Sequence, residues 1–242
     1  MRYFIRFSYD GSCFSGFQRQ KGLKTVQGEI ENALFKLSGV PVNIHASGRT
    51  DKGVHAKGQC AHFDLDMNIT EYNLRKYLNN AFNGEIYIKE LSTISEFFHA
   101  RYDVIRKTYC YYINMGDFNP VFRNYVCQWC KRLDVECMRD ASLYLVGVHD
   151  FRSFCTDSSE IENSVRTIYD IDFSVRGKVL KITFVGNGFL RKMVRNIVAI
   201  LLEIGDGKRE SIYMKEVLDK RSRDGNLKCA FPGGLYLEKV EY

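Results

Sequence analysis

The chain has 242 residues, of which 45% are hydrophobic and 26% charged, and its formal net charge is +6. This length suits one large domain or two small ones, and the composition is that of an ordinary globular protein, which excludes disordered and fibrous classes. The longest apolar run, residues 197–202, is far shorter than a membrane span, and the chain leads straight into a predicted strand. We therefore expect no membrane segment, no secretory signal and a cytoplasmic location.

The first half of the chain predicts the element order βαββαβ. Alternation of apolar residues predicts a strand at 2–9, and apolar residues at helical spacing predict a helix between Thr25, a capping residue, and Gly39, a helix stop. The remaining predicted elements are strands at 42–46, 59–65 and 85–91 and a helix at 70–81.

The second half predicts the same order, with one short additional helix. The predicted elements are a strand at 106–113, a helix at 134–146, a hairpin of 168–175 and 179–185, helices at 189–203 and 212–218, and a strand at 235–240. Two βαββαβ orders predict an α+β fold of two ferredoxin-like units, at 1–105 and 106–242. Each unit should carry its helices on one face of an antiparallel sheet. If the sheets abut, their helix-free faces form a cleft.

Residues 47–56 (SGRTDKGVHA) form the most polar stretch and lie between two predicted strands. A loop on rigid supports is a usual place for chemistry. Arg49 can reach the same face as Asp51, and a guanidinium nearby favours the charged carboxylate that a nucleophile or base requires. The alternative is a plain turn with a surface ion pair. His55 and His149 fit loop or capping residues.

The cysteines predict neither disulfides nor a metal site. All eight are scattered along a chain with its own apolar core, so we expect reduced thiols. Cys127 and Cys130 have metal-like spacing, but only the isolated Cys137 lies near them, and a structural zinc needs a second pair. Basic residues beside aromatic ones suit a nucleic-acid partner, and an aromatic core would look the same in composition.

The loop at 48–56 (GRTDKGVHA) resembles the signature of the TruA family of tRNA pseudouridine synthases. The resemblance extends along the whole chain, because further blocks match the family in order. These blocks are YDGSCFSGFQRQ at 9–20, TVQGE at 25–29, GQ at 58–59, HF at 62–63, FHAR at 98–101, GVHDF at 147–151, FLRKMVR at 189–195 and GL at 234–235.

The resemblance implies a homodimer that needs no cofactor and isomerises uridine to pseudouridine at positions 38, 39 and 40 of the tRNA anticodon stem-loop. It implies that Asp51 is the nucleophile, which attacks C1′ or the base or else removes the C2′ proton. Arg49 corresponds to the residue that fills the gap left by the extruded nucleotide, and Tyr109 to the ring stacked on the target base. Arg195 corresponds to the cation paired with the aspartate, and Leu235 to the apolar wall under the base.

Three positions depart from the family pattern. The family usually has Trp at Phe17, Pro at Phe231 and Gly at Ala199. The last two concern the expected pocket floor and a helix-packing position, so they bear on substrate choice more than on reaction type.

Other functions stay open on the residues alone. A paralogous synthase would act on another tRNA uridine, and a tRNA chaperone would need only a basic surface. A methyltransferase should show a glycine-rich cofactor loop after its first strand, and the loop after Tyr9 lacks that spacing.

Overall fold

The computed structural model describes residues 1–156, 163–222 and 228–242 of the chain. These residues form a mixed α+β fold with mostly antiparallel strands and five α-helices, which confirms the predicted class. They divide into two compact units: Met1–Ile105 with Tyr236–Tyr242, and Arg106–Leu235. The domains 1–105 and 106–242 stay a prediction, because compactness alone does not show that a segment folds independently.

The elements are numbered here in chain order. The helices are α1 (Val26–Ser38), α2 (Glu71–Ala81), α3 (Val135–Leu143), α4 (Met193–Gly205) and α5 (Ile212–Asp219). The strands are β1 (Arg2–Tyr9), β2 (His45–Ala46), β3 (His55–Asp64), β4 (Ile86–Thr93), β5 (Arg106–Asn114), β6 (Cys127–Gln128), β7 (Gly147–Asp150), β8 (Val165–Arg176), β9 (Val179–Gly186) and β10 (Leu235–Glu241).

In the first unit, β1 is the middle of the sheet. It pairs antiparallel with β3 on one side and with β4 on the other, and β3 also pairs with β2 and, in parallel, with β10. The single apolar residue on the polar face of β1, Phe4, is buried because Phe98 and Tyr242 pack edge-to-face against it, each with ring centroids 5.7 Å away. Both faces of β1 therefore contribute to packing.

The helices of this unit begin and end where the sequence predicts. The Thr25 hydroxyl accepts the N–H of Gly28, and Gly39 ends α1 in the left-handed conformation, with φ of 74°. Thr70 caps α2 in the same way, through the N–H of Asn73. The apolar stripes face inward, as Leu34 of α1 and Leu78 of α2 illustrate, since both are fully buried.

In the second unit, strands β5, β9, β8 and β7 pair antiparallel in that order, and the short β6 runs parallel to β5. The predicted hairpin is confirmed as β8 and β9, and Gly177 takes φ of 58° in its turn. Helix α4 packs on α3 near Gly205, where an added Cβ atom would lie 2.6 Å from the Met138 sulfur.

Two predicted strands are wrong at their ends. The segment 42–46 is a strand only at His45–Ala46, because the N–H of Ile44 donates to the Glu31 carboxylate instead of to a neighbouring strand. Strand β3 begins at His55 rather than Gln59, because its first residues pair with β10 from the far end of the chain.

The helix predicted at 189–203 also begins later than expected. Lys192 takes the left-handed conformation, with φ of 62°, and α4 starts at the next residue. Phe189 and Arg191 are therefore outside the helix. Helix α3 ends at Leu143 rather than 146, and the short strands β6 and β7 were not predicted.

Candidate active site

The polar stretch around Asp51 is a loop between β2 and β3, called here the Asp51 loop (residues 47–54). Its first residue is fixed to the sheet, because the N–H of Ser47 donates to the carbonyl of Cys60 at 2.8 Å. Inside the loop, the N–H of Val54 donates to the Asp51 carbonyl at 3.1 Å. Arg49 is exposed and Asp51 half-buried, so the carboxylate lies at the surface of a folded support.

The side chain of Gln59 on β3 is hydrogen-bonded to the first two residues of the Asp51 loop. Its side chain is fully buried, with 0% exposed. The Ser47 hydroxyl donates to Gln59 Oε1 at 2.7 Å, and Gln59 Nε2 donates to the Gly48 carbonyl at 3.0 Å. Because buried polar groups are costly to leave unpaired, these bonds favour a single backbone path for the loop.

Tyr9 holds the residue directly before Asp51. Its hydroxyl lies 2.8 Å from the Thr50 hydroxyl and accepts a longer bond, 3.5 Å, from Gln59 Nε2. Burial raises the pKa of Tyr9 to about 12, against smaller opposite effects of Thr50 and Gln59. The phenol is therefore neutral near pH 7 and can donate to Thr50.

A second segment, called here the Gly16 loop (residues 16–20), lies against the Asp51 loop. The N–H of Phe17 donates to the carbonyl of Thr50 at 3.1 Å. Gly16 has φ of 103°, and an added Cβ atom would lie 3.3 Å from the backbone nitrogen of Lys52. Only glycine fits both this conformation and this close approach.

The end of the Asp51 loop leads into a buried histidine. His55 is the first residue of β3 and is 2% exposed, so it is neither the loop nor the capping residue that the sequence indicated. Its ring stacks on Tyr236, with centroids 4.7 Å apart, and its Nδ1 accepts the N–H of Gly11 at 3.0 Å. The Asp10 carboxylate lies 3.3 Å from the same nitrogen. His55 therefore anchors the loop's second end.

The predicted site residues divide between the compact units. Arg49 and Asp51 belong to the first, and Tyr109, Arg195 and Leu235 to the second. Within the second unit, Tyr109 lies on β5 and is 9% exposed, and Phe189 packs edge-to-face against it, with centroids 5.2 Å apart and planes at 81°. The orientation of the Tyr109 ring is therefore fixed by an aromatic neighbour.

Arg195 and Leu235 both adjoin the segment that leads into β10. Arg195 Nε donates to the Ala230 carbonyl at 2.8 Å, and the N–H of Ala230 donates back to the Arg195 carbonyl at 3.1 Å. Leu235 is buried directly after a short turn in which an added Cβ atom at Gly234 would lie 2.9 Å from the Tyr111 ring. Burial raises the pKa of Tyr111, and its hydroxyl donates to the Phe231 carbonyl at 2.7 Å.

Among the described residues, no group of three or more histidine, cysteine, aspartate or glutamate side chains is arranged to hold a metal ion. Cys127 is buried, which raises its thiol pKa, and Cys130 is exposed. In the same part of the chain, no helix is both long and apolar enough to cross a membrane.

Comparison with known proteins identifies the family. The tRNA pseudouridine synthase family model matches residues 6–103 and 141–242, more than half of the chain. The chain belongs to the tRNA pseudouridine synthase family. The resemblance inferred from the sequence blocks is thereby confirmed.

Three relatives named tRNA pseudouridine synthase A are similar to this chain over nearly its full length. The protein of Streptococcus agalactiae serotype Ia is 44% identical over 245 residues, which is 100% of this chain and 95% of that one. The Streptococcus thermophilus protein is 42% identical over 100% of this chain and 99% of its own. The protein of a Geobacillus species is 41% identical over 97% and 96%.

Among solved structures, a chain from a crystal structure of a Cbf5-Nop10-Gar1 complex aligns with a TM-score of 0.37 and 10% identity, over 83% of this chain and 45% of that chain.

Two departures from the usual pattern of the tRNA pseudouridine synthases fit their surroundings. Phe17 is buried and packs at a tilt against Tyr9, with centroids 6.4 Å apart, so an aromatic ring is kept there. Phe231 has φ of −53°, a value that proline also adopts, so the backbone fits the family's usual residue.

Proposed function

We propose that this chain isomerises uridine to pseudouridine at positions 38, 39 and 40 in the anticodon stem-loop of tRNA, with Asp51 as the catalytic nucleophile. Membership of the family, with named relatives 41% and 44% identical over nearly the full length, supports the reaction. The carrying observation for Asp51 is its position: a half-buried carboxylate on a loop that Gln59 and Tyr9 hold from below.

The reaction itself explains why a fixed carboxylate is needed. The C1′–N1 bond breaks and a C1′–C5 bond forms, C5 loses a proton and N1 gains one, so substrate and product contain the same atoms and no oxidation occurs. The detached base must rotate in place, which requires a pocket that holds a flat ring and excludes water. Asp51 attacks C1′ or the base, or removes the C2′ proton. All three routes need an ionised and oriented carboxylate.

We assign the other predicted residues to binding. Tyr109, whose ring packs against Phe189, offers an aromatic face for stacking on the target base, and we propose that its hydroxyl takes part in the final loss of the C5 proton. Arg195, held at Nε by Ala230, pairs with the catalytic aspartate. Leu235 supplies the apolar wall under the base, and the exposed Arg49 fills the gap left by the extruded nucleotide.

The wider setting belongs to the same proposal. In the first unit, β4, β1 and β3 are neighbours in that order, and both β2 and β10 pair with β3. Together with the βαββαβ element order, this supports a ferredoxin-like unit there, and we infer the same for the second unit. The helix-free faces would bind RNA. We further propose a cytoplasmic homodimer that works without a cofactor.

Replacing the catalytic carboxylate tests the proposal. Asp51→Asn should bind tRNA about as well as the wild type, because it loses no phosphate contact. Its turnover should fall below about one part in a thousand of the wild-type rate, because it loses the reacting charge. Affinity and single-turnover rates on an unmodified tRNA transcript measure both effects. Asp66→Asn, at an exposed aspartate after β3, is the control and should react normally. Residual turnover above that level shows that Asp51 is neither nucleophile nor base.

Mapping pseudouridine in tRNA from cells that lack the gene separates the alternatives. Loss at positions 38, 39 and 40, restored by the wild-type gene and not by Asp51→Asn, supports the proposal. Loss at another uridine indicates the paralogous synthase. If the cells show a tRNA defect that the wild-type gene and the Asp51→Asn gene restore equally well, the protein acts as a tRNA chaperone.

A further inference from the structure

A buried glutamate on α1 contacts both the Gly16 loop and the segment that leads into the Asp51 loop. Glu31 is 4% exposed, although glutamate is a residue type that is usually exposed. Its Oε1 accepts the N–H of Ile44 at 3.1 Å and a bond from Gln27 Nε2 at 2.8 Å. Its Oε2 lies 3.2 Å from a guanidinium nitrogen of Arg19. One carboxylate therefore contacts its own helix and two other segments of the first unit.

The ion pair is asymmetric in burial. The Arg19 side chain is 65% exposed, whereas that of Glu31 is 4% exposed, and Glu31 Oε2 has no hydrogen-bond donor within the described chain. A buried carboxylate without compensation is costly, so the charge of Arg19 is the compensation that this oxygen has. The arrangement pulls an otherwise solvated arginine, and the loop that carries it, onto α1.

The partners of Glu31 lead directly to the Asp51 loop. Gln27, which donates to Glu31, also accepts the N–H of Arg19 at 3.1 Å and donates its own backbone N–H to Phe17 at 2.9 Å. Phe17 in turn donates to Thr50. On the other side, Ile44 precedes β2, which ends where the Asp51 loop begins.

We propose that Glu31 is a positioning residue for catalysis: through Arg19 and Gln27 it fixes the Gly16 loop, and through Ile44 it fixes the entry to the Asp51 loop. The inference rests on the proposed role of Asp51. Glu31 touches neither the substrate nor the reacting atoms. Its effect is to keep the backbone of Thr50 and Lys52, on either side of Asp51, in a fixed position relative to the sheet.

The substitution that isolates this role is Glu31→Gln, because it keeps the size of the side chain and an oxygen for Ile44 but removes the charge paired with Arg19. At saturating tRNA and a temperature well below unfolding, its single-turnover rate should fall about tenfold or more, since small misplacements of reacting groups cost rate steeply. Its tRNA dissociation constant should change less than about threefold, because a purely positional defect leaves phosphate contacts in place.

The matched control is Glu29→Gln, at a glutamate two residues earlier on α1 that is not buried and should react at the wild-type rate. Gln27→Ala is a second test variant, which keeps the Glu31 charge pair and removes the amide link. It should also be slow, and this keeps the test valid if Glu31→Gln folds poorly. Arg19→Gln should add little to the defect of Glu31→Gln, because both remove the same ion pair.

The outcomes separate this inference from the proposed function. A wild-type rate in both Glu31→Gln and Gln27→Ala, with Asp51→Asn inactive, overturns the positioning role and leaves the proposed function intact. A lower melting temperature with an unchanged single-turnover rate also overturns it, because that result shows a structural role alone. An active Asp51→Asn overturns both.

Discussion

At the scale of single residues, the hydroxyl of Tyr9 links the first strand to the residue before the candidate nucleophile. Tyr9→Phe keeps the ring that packs against Phe17 and removes the bonds to Thr50 and Gln59. We expect the free energy of unfolding to fall by about 1 kcal/mol, the usual loss for one buried hydrogen bond, because the 3.5 Å bond from Gln59 is long and contributes little. The single-turnover rate should fall as well, because Thr50 loses its support.

Urea denaturation and single-turnover kinetics measure the two effects. Tyr87→Phe is the control, since Tyr87 lies exposed on the edge strand β4 and should change neither quantity. If Tyr9→Phe matches the wild type in rate, the phenol does not position the loop.

At the scale of elements, the segment just after β1 and the residue just before β3 approach too closely for a side chain between them. An added Cβ atom at Gly11 would collide with the carbonyl of Val54, and the N–H of Gly11 donates to His55. We therefore expect Gly11→Ala to lower stability by about 1–3 kcal/mol, the usual cost of overpacking, and to slow turnover by shifting the end of the Asp51 loop.

Thermal unfolding and turnover of Gly11→Ala should be compared with those of Gly188→Ala. At Gly188 the nearest atoms to an added Cβ are 3.6 Å away, an ordinary contact, so that variant should be close to neutral. Equal melting temperatures for the two variants would contradict the close approach of Gly11 to Val54.

At the scale of the whole molecule, a histidine cluster should make stability depend on pH. His62 is buried in β3, with His45 stacked on it at 4.9 Å and His99 edge-on at 4.7 Å. Burial, and then the nearby charges of His45, Arg2 and His99, lowers the pKa of His62 to about 4, and Asp64 opposes the shift weakly. The folded protein therefore binds a proton at His62 less readily than the unfolded chain does.

The direction of the pH effect follows from this difference. The stabilisation that depends on a neutral His62 is fully present above the pKa of histidine in the unfolded chain, about 6.5. It is lost as the pH falls towards the pKa of His62 in the folded protein, about 4. The urea midpoint should decline over this range, and His62→Gln, which can still accept the N–H of Ala100, should reduce the decline. His149→Gln, in the other compact unit, should retain it. A level midpoint for the wild type between about pH 7 and 4.5 would contradict the prediction.

The sequence by itself determined those features whose causes are local. The caps at Thr25 and Gly39, the alternation along β1 and the hairpin around Gly177 each depend on a few neighbouring residues, and the structure confirms them. The polar composition of residues 47–56 marked the loop, although the structure places the last two of these residues in β3. The ordered blocks indicated the family that the comparisons confirm. The roles of Asp51, Tyr109 and Arg195 stay predictions.

Only the tertiary structure decided where pairing begins and what supports the loop. His55 belongs to a strand because Tyr236, near the end of the chain, pairs with it, and 42–44 is not a strand because the Ile44 amide is bonded to Glu31. The buried Gln59 and Glu31 look like surface residues in sequence, since glutamine and glutamate are usually exposed. Their partners are brought together by folding, and spacing along the chain carries no signal of such contacts.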